Sequence, residues 1–250
     1  VRRVKTLINT RHPSMKNILF TLMVVGILSL TRAHAGELQV GFAQLSITPD
    51  LIDQWVDVNN DAQFDPDIDL WTDVNGNGEF DAIWMAGFQN QRPAQGVKDN
   101  LMAVAVVIDD GQNRIGIITA DTVGLMRKFV LSVREAIPPE WGLDYLMVHA
   151  THNHEGPDTQ GLWGPSFFSS GVNHDYMQQL QQNILDTLNT AIDNLEPAKM
   201  SMARIPTNPL TPIKDKRKPI VIDEDIRALL FSRPDGSILG TLVNFGIHVE

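Results

Sequence analysis

The sequence predicts an α/β domain of mixed β-sheets packed with helices. Three observations predict it. Short runs such as MAVAVVID (102–109) and RIGIITAD (114–121) are rich in β-branched residues. Two longer segments, 126–137 and 174–195, repeat their apolar residues at steps of three and four. Turn signals of the hairpin kind, DGQN and PDGS, occur beside helical crossovers, so antiparallel and parallel pairings are both expected. The 250 residues are 43% hydrophobic, enough for one substantial core or two small ones, and not the composition of a disordered chain.

The first segment reads apart from the domain. From Met15, MKNILFTLMVVGILSLTRAHAGE carries Lys16 as a positive n-region and an apolar run from Ile18 to Leu30. Ala33-His34-Ala35 is the small-x-small pattern of a cleavage site, with Gly36 following. Residues 1–35 are therefore expected to be upstream residues plus a signal peptide, and the protein to be exported, periplasmic or secreted. The alternative is a retained membrane anchor, for which the run is short. At the other end GTLVNFGIHVE reads as a buried strand, so 36–250 is expected to be the N-terminal part of a larger domain. Removing 1–35 removes Arg2, Arg3, Lys5, Arg11, Lys16 and Arg32 and no acids, taking the net charge from −10 to −16. That balance argues against nucleic acid, whose binding needs neutralised phosphates, and is compatible with divalent cations. There is no cysteine, so disulfides and thiolate-held zinc are excluded.

LQVGFAQLSITP (38–49) reads as a strand stopped at Pro49. Residues 50–92 read as a loop-like insertion, with ten acids and no Lys or Arg before Arg92. Within it DVNNDAQFDP (57–66) and DVNGNGEFDA (73–82) place oxygen side chains at alternate positions: Asp57, Asn59, Asp61 and Asp65, then Asp73, Asn75, Asn77 and Asp81. D-x-[DN]-x-[DN]-G opens a calcium loop, and Gly78 takes the turning position in the second copy. The closing glutamate of a full EF-hand is missing in both. The expectation is an acidic calcium-loop-like insertion in which Ca2+ lets Trp55, Trp71 and Trp84 pack on the domain; the alternative is a solvated acidic loop.

The α/β rhythm follows. The runs at 102–109 and 114–121 form a hairpin. MRKFVLSVREAI (126–137) is a helix with Met126, Phe129, Val130, Val133 and Ile137 on one face, ended by Pro138-Pro139. DYLMVHAT (144–151) is a strand. HDYMQQLQQNILDTLNTAIDNL (174–195) is a helix with Met177, Leu180, Ile184, Leu188, Ala191 and Leu195 as its core stripe, Asn173 as N-cap and Pro197 closing it. Strands at 198–205, 226–233 and 238–247 complete the pattern, with a long Pro- and Lys-rich loop after the first.

THNHEGPD (151–158) sits just past the carboxyl end of a strand, where sites in α/β folds collect. In extended chain, residues i and i+2 point the same way, so His152 and His154 can face one point and serve as metal ligands; the alternative is two rings bonded to backbone. His149, of opposite parity to His152, is expected in the core. His248, in NFGIHVE, lies near the end of another strand.

VGFAQLSITP, RIGIITADTVGL, ATHNHEGPD and NFGIHVE, in this order over roughly 38–250, resemble the N-terminal domain of the neutral/alkaline non-lysosomal ceramidases. The first is similar to that family's G-x-A-x-x-D-I-T-P strand, with Ser46 in the place of Asp, and the third to its T-H-T-H-S-G-P loop, with Asn153 for Thr and Glu155 for Ser. The resemblance implies a Zn2+-dependent amidohydrolase that splits the amide of ceramide or a related N-acyl lipid, with peripheral contact to a membrane surface. It implies His152 and His248 as zinc ligands and His154 as the histidine assisting catalysis. It also implies an arginine, for which Arg217 in KDKRKP is the nearest candidate, and two further ligands, a glutamate and a tyrosine, downstream of residue 250. The Glu155 carboxylate would reach the metal, orient a ligand histidine or alter substrate choice. A metallo-β-lactamase-like site would want H-x-H-x-D-H, which HNHEGPD lacks. A calcium-stabilised exported binding module would leave the three histidines unexplained.

Overall fold

The central sheet owes its two buried faces to the alternation in its strands. In the computed structural model, which describes residues 36–207 and 215–247, the strands in chain order are β1 (Gln39–Ser46), β2 (Gln54–Val56), β3 (Leu70–Thr72), β4 (Met102–Asp109), β5 (Arg114–Ala120), β6 (Tyr145–Ala150), β7 (Glu196–Pro197), β8 (Lys199–Pro206), β9 (Asp225–Ser232) and β10 (Ile238–Asn244). The helices are α1 (Arg127–Glu135) and α2 (His174–Asp193). The signal segment 1–35 and His248 lie outside the described residues, as do 208–214 of the Pro- and Lys-rich loop. The central sheet has the order β6-β5-β4-β1-β7, with β4 antiparallel to β1 and β5, and β6 parallel to β5 across the α1 crossover. Mixed pairing is thus present as expected.

Ala103, Ala105 and Val107 of β4, with Ile118 and Ala120 of β5, face Leu180, Ile184, Leu188 and Ala191 of α2, all fully buried. Small strand residues let the helix lie close. At Gly41 of β1 a Cβ would fall 1.9 Å from the Ala191 carbonyl oxygen, so no larger residue fits there. Asn173 caps α2, its side chain accepting from the Tyr176 amide. The opposite face of the sheet carries Val40 and Val106, which pack with Ala198 and Phe231. Phe231 belongs to a second, antiparallel sheet of order β10-β9-β8. The layers run helices, sheet, sheet. A two-point ion pair at 2.7 and 2.8 Å joins Glu196 of β7 to Arg233 just beyond β9, and this bonding holds the Glu196 carboxyl below its usual range.

Two expectations fail on the surface. His149 is exposed, because β6 is the edge strand and its Tyr145, Met147 and His149 face has no covering layer among the described residues. Met126 is exposed too, since it precedes the first turn of α1; Phe129, Val133 and Ile137 carry that helix's core face.

The insertion is more ordered than a loop. Asp53–Ile68 and Asp69–Trp84 are two copies of one 16-residue unit. Their strands β2 and β3 pair antiparallel, with Trp55 opposite Trp71. Equivalent residues share backbone shape: Asn60 and Gly76 are left-handed, and so are Ala62 and Gly78. Phe64 and Phe80 stack at 4.0 Å between the copies. The leading aspartates cross over. Buried Asp53 accepts from the Val74 and Asp81 amides at 2.9 and 2.8 Å, and buried Asp69 accepts from the Val58 and Asp65 amides at 2.9 and 2.8 Å. Each copy supplies the buried carboxylate that closes the other's loop.

Candidate active site

The histidine loop leaves β6 beside β5. The Thr151 amide donates to the Ala120 carbonyl, and its hydroxyl lies 3.1 Å from the Asp121 carboxylate. The next residue breaks the extended path. His152 has φ +64°, a left-handed conformation that a β-carbon disfavours by about 1–2 kcal/mol. The two rings therefore meet through a turn at His152, not through the alternation of a strand. His152 Nε2 and His154 Nε2 are 3.3 Å apart. The His152 Nδ1 lies 2.6 Å from the Val123 carbonyl oxygen. A carbonyl can only accept, so Nδ1 carries the proton and Nε2 presents its lone pair toward His154.

Four more residues of the loop are anchored through their backbone. The Asn153 amide donates to the Thr122 carbonyl, and the Glu155 amide to the Asn153 side chain. The Gly156 carbonyl accepts from the Ala86 amide, and the Asp158 amide donates to the Trp84 carbonyl. The end of the insertion thus lies along the histidine loop. Gly87 sits against the His154 ring with φ +103°, where a Cβ would come within 2.5 Å of it, and Phe88 meets the imidazole edge-on at 5.4 Å.

Asp158, 1% exposed, organises the following loop by accepting from the amides of Gln160, Gly161, Leu162, Trp163 and Gly171. These walls bound a cleft of 840 Å³ lined by Leu51, Ile83, Met85, Phe88, Val97 and Leu101 around Asp121, His152 and His154. Apolar walls with a few convergent polar groups are the usual form of a ligand site.

His152 Nε2, the ring nitrogen turned away from the Val123 carbonyl, would hold a zinc ion, and the His154 Nε2 stands beside it at 3.3 Å. Among the described residues no group of three or more His, Asp or Glu converges as a metal cluster; His248, expected as a ligand, lies outside them. Glu155 turns to Arg92, at 3.3 Å. Arg217 is exposed and bonded to Asp215, not placed at the cleft.

Each predicted calcium set lies in its own loop, and among the described residues no three carboxylates converge as a metal cluster. Asp57, Asn59 and Asp61 accept from amides at positions 61–63, and Asp65 from Asp67. Asp73, Asn75 and Asn77 accept from amides at 76–79, while Asp81 takes the Asn75 and Asn77 amide groups at 2.7 Å each. Sequence reasoning missed Arg92, Gly87, Asp158 and the crossing pair Asp53 and Asp69. Only Arg92 carried a signal, as the first cation after ten acids.

No family model matches the chain. Among solved structures it is similar to a ceramidase complexed with C2, with a TM-score of 0.59 and 17% identity over 83% of this chain. It is similar also to the neutral ceramidase from Pseudomonas aeruginosa, with a TM-score of 0.57 and 15% identity over 83%. The chain shares the neutral ceramidase fold. It spans 30% and 31% of the length of those two ceramidase chains. The α/β architecture expected from the sequence pattern is therefore the one observed.

Proposed function

We propose that the chain is the N-terminal part of a zinc-dependent amide hydrolase of the neutral ceramidase type, acting on ceramide or a related N-acyl lipid. The observation that carries this reading is the 3.3 Å approach of His152 Nε2 and His154 Nε2 in an apolar cleft, within a fold shared with a ceramidase complexed with C2. His152 and His248 would hold the metal, which when bound activates a water and polarises the amide carbonyl. The Val123 carbonyl fixes the His152 tautomer, so that Nε2 is available as ligand. His154 would take a proton at Nε2 and return it to the leaving amine. Leu51, Ile83, Met85 and Val97 would bury the acyl chain.

Export through the segment ending at Ala35 belongs to the same reading, and so does a peripheral contact with a bilayer surface. For the latter, residues 159–173 contain no charge. They present Phe168 at 95% exposure, and Trp163 Nε1 donates to the Phe88 carbonyl at the cleft. No helix among the described residues is long and apolar enough to cross a membrane.

The test is metal analysis of the full-length gene product and its hydrolysis of ceramide before and after chelation. Activity is expected to vanish with chelator and return with Zn2+. The 250-residue chain alone is expected to bind Zn2+ weakly and hydrolyse nothing; tight binding with activity would show the ligand set to be wrong.

Ca2+ is proposed in the paired loops as a structural ion, drawing on Asp57, Asn59, Asp61 and Asp65 and on Asp73, Asn75, Asn77 and Asp81. Calorimetric titration with Ca2+ is expected to show binding and a raised Tm; no heat of binding would remove the claim. Calcium binding without zinc binding would favour the second reading, a calcium-stabilised exported binding module, which the ordered repeat supports.

A further inference from the structure

Arg92 bonds directly to the histidine loop, and its surroundings are unusual for an ion-paired arginine. Its side chain is 14% exposed, whereas that of Glu155, its carboxylate partner, is 67% exposed. The contacts between them, 3.3 and 3.4 Å, are long for a guanidinium and a carboxylate. The short bonds go elsewhere. Arg92 Nη2 donates to the Ala86 carbonyl at 2.6 Å and to the His154 carbonyl at 2.8 Å. The guanidinium lies over the Phe88 ring at 4.8 Å, and the same ring meets the His154 imidazole at 5.4 Å. Burying a cation costs free energy that an exposed, distant carboxylate does not return. The bonds that repay the burial are those to the backbone on either side of the histidine.

We infer that Arg92 is the positioning residue for His154: its Nη2 group ties the His154 carbonyl to the Ala86 carbonyl, and through Phe88 the guanidinium sets the imidazole against that of His152. This deepens the proposed hydrolase and rests on that reading for its catalytic meaning, though not for its geometry. Removing the guanidinium frees the loop at its histidine while the rest of the domain, held by β4, β5 and α2, keeps its core. The planar guanidinium holds the two Nη2 hydrogens in fixed directions, one to each carbonyl, while Nη1 faces Glu155; an ammonium rotates about its stem and fixes neither direction.

The experiment uses the 250-residue chain with 15N-labelled histidine. Two variants are compared with it: Arg92→Met, which keeps an apolar stem over Phe88, and Arg92→Lys, which keeps the charge. The readouts are the NMR cross-peak between the His152 and His154 ring protons, Zn2+ affinity by chelator competition, and Tm. The inference expects the cross-peak to be lost in Arg92→Met and weakened in Arg92→Lys, with Zn2+ affinity, which rests on His152, unchanged. Should Arg92→Met fail to fold, Arg92→Lys decides. A variant that folds with the cross-peak of the parent overturns the inference. If the parent chain binds no Zn2+, the cross-peak alone decides the role of Arg92, and the metal reading is decided by metal analysis of the full-length gene product.

Discussion

An Asp158→Ala variant is expected to lose about 3 kcal/mol or more of stability, read as a lower urea midpoint at unchanged slope. The carboxylate is fully enclosed and accepts from five main-chain amides between Gln160 and Gly171. Hydrogen bonds to a charged acceptor are worth more than neutral ones, and each amide left without a partner in the interior carries its own desolvation cost. Asp158→Asn keeps the shape but turns an NH2 group toward donors, so it should fall between parent and alanine. A midpoint for Asp158→Ala within 0.5 kcal/mol of the parent would show that the amides find other acceptors and that the 158–171 loop is not organised from its first residue.

The crossed aspartates lead to the second large effect. Asp53→Ala leaves the Val74 and Asp81 amides without their acceptor, and both belong to the other copy. The expected loss is about 2–3 kcal/mol, and Ca2+ affinity should fall in the loop 73–82 while the loop 57–66 keeps its own. Asp69→Ala should do the reverse, through the Val58 and Asp65 amides. Two-site calorimetry on both variants separates the loops. If each substitution weakens the loop next to it in sequence, the crossing has no energetic weight.

Where local pattern decides structure, the sequence was legible. The run MAVAVVID is strand β4 from Met102 to Asp109, and the 174–195 stripe is α2 with the expected cap at Asn173. The pairing of His152 with His154 was legible for a reason only half right. Two residues' spacing suggested a common direction, but the observed approach depends on a left-handed turn at His152, which that spacing does not announce. His149 was misplaced because parity tells which residues share a face, not whether a layer covers it; β6 is an edge strand, and that is a property of the whole sheet. Arg92, Asp53 and Asp69 act on amides or carbonyls brought near by folding. Arg92 and His154 are 62 positions apart, and nothing local in either marks the bond.

The exchange of closing carboxylates between the two 16-residue copies also constrains how this segment could be gained or lost. Deleting one copy would strip the survivor of its lid, and a third would arrive with an orphaned aspartate. Lineages that resize this stretch should therefore carry such units in even numbers.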